Sequence, residues 1–197
     1  MTAHTDTSTS VSEFLQDYKI SGKKVGIHEF AFWGGYSFHS TKGVWGKTAG
    51  ADLSMLGFRY NRKLLALPKN YLLKYVGEMN LHVNYQFSDI SRRVTASSIG
   101  GFGVAPVGFQ LNWGKHRTVQ PFLKSSTGFI YLSDPFPDRR GTRFNFILEL
   151  GTGLEIKLFD HSFLTLGYKY HHMSNGRLGD VNPGLDSNIF YAGFTVF

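Results

Sequence analysis

Residues 71–87 read YLLKYVGEMNLHVNYQF. Counted by twos, Tyr71, Leu73, Tyr75, Met79, Leu81, Val83, Tyr85 and Phe87 share one side, and Lys74, Glu78, Asn80, His82, Asn84 and Gln86 share the other. This is the alternation of a β-strand with one greasy wall and one charged wall. It runs well past the ~5–6 residues of an average globular strand. Two settings accept such a strand. In a soluble sandwich the apolar faces pack together and the polar faces meet water. In a membrane barrel the apolar faces meet lipid and the polar faces line the interior.

The pattern recurs on both sides of this stretch. From His28 onward, Phe30, Phe32, Tyr36 and Phe38 oppose Glu29, Ala31, Trp33, Gly35 and Ser37, and later Leu56, Phe58 and Tyr60 oppose Gly57, Arg59 and Asn61. Ala105, Val107, Phe109, Leu111 and Trp113 form the apolar side of a glycine-rich fourth strand, and Leu123, Phe129 and Tyr131 oppose Lys124, Ser126 and Gly128 in a fifth. The sixth sets Phe144, Phe146, Leu148, Leu150, Leu154, Ile156 and Leu158 against Asn145, Glu149, Gly151, Gly153, Glu155 and Lys157. A seventh strand from Leu164 and an eighth from Asp186 complete the set.

Connectors after the second, fourth and sixth strands are tight (67–70, 114–117, 160–162), and those after the odd strands are longer, which matches periplasmic turns and external loops. Strand length and this asymmetry favour an all-β, eight-stranded antiparallel transmembrane β-barrel over residues 26–197, with both termini periplasmic. Its interior is just filled by side chains and is no pore. Glu29, Arg59, Lys74, Glu78, Lys124, Glu149, Glu155, Lys157 and Lys169 are expected to pair inside it. Residues 1–25 are expected to form a leader. Ser10 and Glu13 stand at capping-box spacing with Val11, Phe14, Leu15 and Tyr18 on one face, so a short amphipathic helix is allowed there.

Mean hydropathy is only −0.17, a value that would suit a soluble protein, but 16% aromatic residues and 23 glycines accompany the alternation, as in a membrane barrel. The absence of cysteine excludes disulfides, metal thiolates and a cysteine nucleophile, and no metal or cofactor is expected. Met1 to Ser10 lacks the basic start and apolar core of a signal peptide. The formal charge is +7. The arginines gather in loops (Arg92 and Arg93; Arg139, Arg140 and Arg143; Arg177) and form no aromatic-interleaved stripe, so nucleic acid is not an expected partner. Solvation of the loops and attraction to an anionic headgroup both account for them.

Residues 168–186 carry the chemistry. Leu164, Leu166, Tyr168 and Tyr170 share a face, on which His172 and Ser174 come next. After a polar loop (Asn175, Gly176, Gly179, Asp180, Asn182, Pro183, Gly184), Asp186 re-enters on the face of Asn188 and Phe190. Parity thus places a hydroxyl, an imidazole and a carboxylate at one end of a hairpin, on its lipid side. These are the parts of an activated nucleophile. His171, of opposite parity, is expected inside with a structural role. The spacing alone leaves an inert barrel open, because His-x-Ser arises by chance and such loops are common.

His172-Met173-Ser174-Asn175, followed by Leu178 and then by Asn182-Pro183-Gly184-Leu185-Asp186, resembles the C-terminal signature of the PagL-type lipid A 3-O-deacylases. The resemblance is specific over roughly the last 30 residues. It implies an outer-membrane serine esterase of the Gram-negative envelope, facing the outer leaflet, that removes an acyl chain from lipopolysaccharide. The catalytic set it implies is Ser174 as nucleophile, His172 as base and Asp186 as acid, with Asn182 in oxyanion stabilisation. Asn175 matches as well, and backbone amides near Asn175 and Gly176 are candidate oxyanion donors. The acid expected from the resemblance is Glu, so Asp186 is a methylene short.

An acyl chain is expected on the outer wall beside Tyr168 and Tyr170, with Arg92, Arg93, Arg139, Arg140 and Arg177 toward phosphates. The expected partners are lipopolysaccharide and membrane lipid, the chain acting as monomer or homodimer. The rival readings are a non-enzymatic adhesion or envelope barrel and another lipid hydrolase, such as a phospholipase.

Overall fold

A computed structural model describes residues 28–68, 70–87, 97–114 and 117–197. The expected leader and the arginines at 92 and 93 lie outside the described residues. Eight strands follow one another: β1 (His28–Ser40), β2 (Ala51–Leu67), β3 (Tyr71–Phe87), β4 (Ser98–Trp113), β5 (Val119–Phe136), β6 (Thr142–Phe159), β7 (Ser162–Ser174) and β8 (Leu185–Val196). Each pairs antiparallel with its sequence neighbour, and β1 pairs with β8 from Phe30↔Val196 to Tyr36↔Phe190, closing the ring. Closure removes the sheet edges that a bilayer could not satisfy. Strands of 12 to 18 residues are long enough to cross a bilayer at the usual tilt. The connectors that follow odd-numbered strands share one rim, and the tight turns share the other.

The alternation separates two solvents. Phe30, Phe32, Phe58, Phe109, Leu123, Leu150, Leu166 and Phe194 are exposed on the outer wall, whereas Glu29, Arg59, Lys74, Glu78, Lys124, Glu149, Glu155 and Lys169 are buried inside. Near the short-turn rim, Glu29 takes Lys74 at 2.9 Å and Lys63 at 3.3 Å, while Glu155 takes Lys74 at 2.8 Å and the Gln110 and Asn112 amides at 2.7 Å each. Higher up, Glu78 meets Arg59 at 2.5 Å and Lys124 at 2.6 Å, and Glu149 accepts from Lys169 at 2.8 Å. His171 is inside as expected, between Glu149 at 2.9 Å and the Tyr85 hydroxyl at 3.0 Å. Pairing is obligatory here, since an ion left alone in this interior would cost several kcal/mol. Lys157 departs from the expectation: it is exposed beside the last tight turn and faces Asp160 at 3.5 Å.

Two bulges correct the simple parity. Leu56 pairs with His82 but Gly57 with Asn80, so Leu81 is an extra residue on β3. Beyond it Val83, Tyr85 and Phe87 turn inward, and His82, Asn84 and Gln86 turn outward. A bulge adds one residue to one strand and reverses every face after it. On β4 the register shifts between Val104 and Val107, which turns Ala105 inward. Pro106, at this shift, has no N–H to give the ladder; its carbonyl accepts from the Tyr75 hydroxyl. Toward the long-loop rim the interior therefore becomes an ordinary apolar core of Leu53, Met55, Tyr85, Ile130, Leu132, Ile147, Met173 and Ile189.

Glu78 is the test of the interior. Glu78→Gln leaves Arg59 and Lys124 short of a counter-charge and should destabilise the barrel by about 3 kcal/mol or more, seen as a lowered denaturant midpoint in detergent micelles. An unchanged midpoint would mean that water, not the carboxylate, balances those cations.

Candidate active site

Three chain segments meet on the outer wall at the long-loop rim. In β7 and β8, His172 lies directly opposite Asp186 in the ladder, and His172 Nδ1 is 2.6 Å from Asp186 Oδ1. The imidazole side chain is 16% exposed and the carboxylate 2%, so the acid is covered and the base is reachable. The third segment is the loop 41–50. Its Trp45 and Gly46 amides donate to Asp186 Oδ2 at 2.9 and 2.8 Å, and the Tyr170 hydroxyl donates to the same oxygen. One carboxylate oxygen is thus left for the imidazole, and the other is saturated.

The loop seats itself by continuing the sheet. Lys47 N–H donates to the Pro183 carbonyl at 2.8 Å, Thr48 N–H to that of Gly184 at 3.2 Å, and Thr48 bridges Leu185 in parallel. Close approach depends on two glycines: a Cβ at Gly43 would fall 2.1 Å from Asp186 Oδ2, and one at Gly46 2.6 Å from the Asp186 nitrogen. Trp45 then stands edge-on to both His172 and Tyr170, at 5.5 and 5.7 Å between ring centres.

Ser174 ends β7 on the face of His172, half-buried and opposite Phe146 of β6. Its hydroxyl makes no hydrogen bond to another described residue. The loop that follows is stapled by Asn175, itself 1% exposed. Asn175 donates its backbone N–H to Asn182 Oδ1 at 3.0 Å and its side-chain amide to the Val181 carbonyl at 2.8 Å, and its Oδ1 accepts from Arg177 N–H at 3.0 Å. Asn175 and Asn182 therefore hold each other here. Gly176 has a φ of +62°, a conformation that suits glycine.

Of the proposed wall residues, Tyr168 stands against Phe190 at 5.4 Å and donates to Asn188 Oδ1 at 2.6 Å, while Tyr170 is bound to the acid. Arg139, Arg140 and Arg177 are exposed, and the Arg140 carbonyl accepts from Asp180 N–H at 2.8 Å, which brings the β5–β6 loop against the β7–β8 loop. Arg140 also grips Asp138 at 2.7 Å, and this hydrogen-bonded pairing holds the Asp138 carboxyl below its ordinary range. Among the described residues no group of three or more ligating side chains is arranged to hold a metal.

A closed eight-stranded ring, greasy outside and ionic inside, is an outer-membrane β-barrel, and this one carries an imidazole–carboxylate pair on its lipid wall. The family model for lipid A 3-O-deacylase (PagL) matches residues 54–195, so the chain belongs to the PagL family. Among solved structures, it is similar to Neisserial surface protein A (NspA), with a TM-score of 0.59 at 13% identity over 87% of this chain and 97% of that one. It is also similar to the outer-membrane enzyme PagL, with a TM-score of 0.56 at 16% identity over 84% of this chain and 97% of the other. No curated protein matches in sequence.

Sequence reasoning missed Gly43, Trp45 and Gly46. The only signal was an aromatic between glycines in a loop, at a separation from Asp186 that no periodicity spans. Gly43→Val should unseat this loop. Hydrogen bonds to a charged acceptor contribute about 1.5–3 kcal/mol, so Trp45 and Gly46 amide exchange should quicken by about tenfold or more, measured by mass spectrometry. Unaltered exchange would mean that the loop is held by the 183–185 contacts alone.

Proposed function

We propose that this protein is an outer-membrane serine esterase that hydrolyses an acyl ester of lipid A, the 3-O-linked chain, with Ser174, His172 and Asp186 as its catalytic residues. The observation that carries this reading is the His172–Asp186 hydrogen bond on the outer wall, two residues before a serine on the same face, in a chain of the PagL family.

With Nδ1–H donated to Asp186, His172 keeps Nε2 free to accept a proton. Ser174 Oγ attacks the ester carbonyl as its proton passes to Nε2, and the resulting imidazolium is stabilised by Asp186. Collapse of the tetrahedral intermediate expels the sugar alcohol, which takes that proton from His172. Water, deprotonated by the same base, then cleaves the acyl-serine to release the fatty acid and restore Ser174. Because the Asn175 N–H is already given to Asn182 Oδ1, we assign the oxyanion role to the Asn182 side-chain amide and the Gly176 N–H, with Asn175 positioning Asn182. The wall beside Tyr168 receives the acyl chain. Exposed Arg139 and Arg177, neither in an ion pair with another described residue, face the lipid's phosphates from the outer-leaflet side, with Arg140 and the arginines at 92 and 93 in support.

Ser174→Ala should insert and fold normally yet lose activity by at least about a thousandfold, read as fatty acid released from purified lipopolysaccharide. The mass of the lipid product separates this reading from a phospholipase: loss of one 3-O-linked chain from lipid A supports it, and cleavage of phospholipid alone overturns it. Arg139→Gln combined with Arg177→Gln should raise KM by about tenfold through lost charge-assisted hydrogen bonds and flatten its dependence on salt. Unchanged KM across ionic strengths would remove the arginines from substrate binding.

A further inference from the structure

The outer wall holds a concavity toward the rim that carries the site. A groove of about 370 Å³ lies where β3, β4 and β5 meet, lined by Leu81, Gly100, Phe102, Tyr131 and Ser133, with Arg143 beside it. Gly100 keeps it open. It shares the outward face of Phe102, and a Cβ placed on it would have only the Val83 carbonyl within 4 Å, at 3.9 Å. Leu81, the bulge residue, and Phe102 are 52% and 62% exposed, so the groove has apolar walls and no floor of side chain.

A row of outward aromatic residues on β4, β5 and β6 runs from this groove toward Ser174. Phe102 leans on Tyr131 at 6.1 Å, Phe129 follows Tyr131 on the same face of β5 and meets Phe144 at 5.3 Å, and Phe144 meets Phe146 at 5.2 Å. Phe146 is the ladder partner of Ser174. The other flank of the site is different: loop 41–50 covers Asp186 there, and Asn188 is bound to Tyr168. The wall beside Tyr168 and Phe190 takes the chain that is cut, and the β4–β6 aromatic wall leads away from the site on the opposite side. Arg143 adds a cation, in no ion pair with another described residue, beside the groove.

We propose that the β3–β5 groove receives a second acyl chain of the same lipid molecule whose ester is cut at Ser174, with an anionic group of that molecule against Arg143. This rests on Ser174 being the nucleophile. Groove and serine are separated by about two and a half strand spacings across the sheet, ~12 Å at the usual ~4.8 Å each, and by about two to four residues along it, ~7–13 Å at ~3.3 Å each, because the ladder sets Ser174 level with Val104 through Phe146 and Phe129. A sugar scaffold bearing several chains bridges that span, and a single-chain ester does not. The groove thus selects for multiply acylated, anionic substrates.

Gly100→Leu tests this, because the added side chain enters open space and suits a strand better than glycine. The measurement is the ratio of kcat/KM for multiply acylated lipid A over kcat/KM for a single-chain nitrophenyl ester, in the same mixed micelles, with cooperative unfolding of each variant verified. The ratio should fall by about tenfold, the scale of filling a hydrophobic subsite. Arg143→Gln, which leaves the wall intact, should lower the same ratio at low salt and not at high salt. An unchanged ratio in both variants overturns the proposal. So does a Gly100→Leu protein that retains less phosphatidylglycerol with its ratio unaltered, since the groove then serves bulk lipid. If Ser174→Ala still cleaves either ester, the nucleophile is elsewhere and the reading beneath this inference fails first.

Discussion

A hydrocarbon layer offers no hydrogen-bond partner to a peptide group, so a chain that crosses it with strands must close the sheet on itself. Closure through Phe30↔Val196 to Tyr36↔Phe190 fixes what every side chain can do. Each residue faces either lipid or an enclosed, side-chain-filled interior. Charges sent inward must find one another, as Glu78 finds Arg59 and Lys124, because neither solvent is available to them. Groups sent outward meet the membrane itself. The His172–Asp186 pair, with Ser174 on the same face, is therefore turned toward the membrane and away from the filled interior.

The same ring has two regimes along its height. Below the Leu81 bulge the barrel is an inside-out protein, apolar outside and ionic within. Above it on β3, Val83 and Tyr85 are in the core and Asn84 and Gln86 are outside, the order of a strand in water, while Phe102 and Tyr131 keep the neighbouring outer wall apolar. His172, Ser174 and Asp186 lie on the outer wall at the long-loop ends of β7 and β8, where a polar group costs less than at the middle of a bilayer.

Much of this was legible in the chain. Period-two alternation in residues 71–87 and 144–158 gave the strands, connector lengths gave the two rims, and parity alone set His172 and Asp186 on one face. Parity counts residues, however, and a bulge is an uncounted one. Nothing in LHV at 81–83 announces that Leu81 is extra, because the cause is pairing with β2 and β4. Ala105 was misplaced for the same reason. Tyr170 was legible as a wall residue and not as a donor to the acid. Loop 41–50 was illegible as part of the site because its contacts with Asp186 span more than a hundred residues, and amide donors leave no side-chain signature at all.

That loop also accounts for the short acid. A glutamate would carry its carboxylate one methylene farther from β8, into space that the backbone of 43–46 occupies: a Cβ on Gly43 would already lie 2.5 Å from the Asp186 Cβ. Asp186 reaches His172 at 2.6 Å without that methylene because the two residues face each other in the ladder. The vacated volume is filled by backbone, whose two amides grip the oxygen that does not face the imidazole. A carboxylate with one oxygen fully satisfied has a single orientation left, and so does the imidazole bound to the other. Aspartate and the glycine-flanked Trp45 are in this sense one device: the shorter side chain makes room for the loop, and the loop supplies the rigidity that a single strand could not.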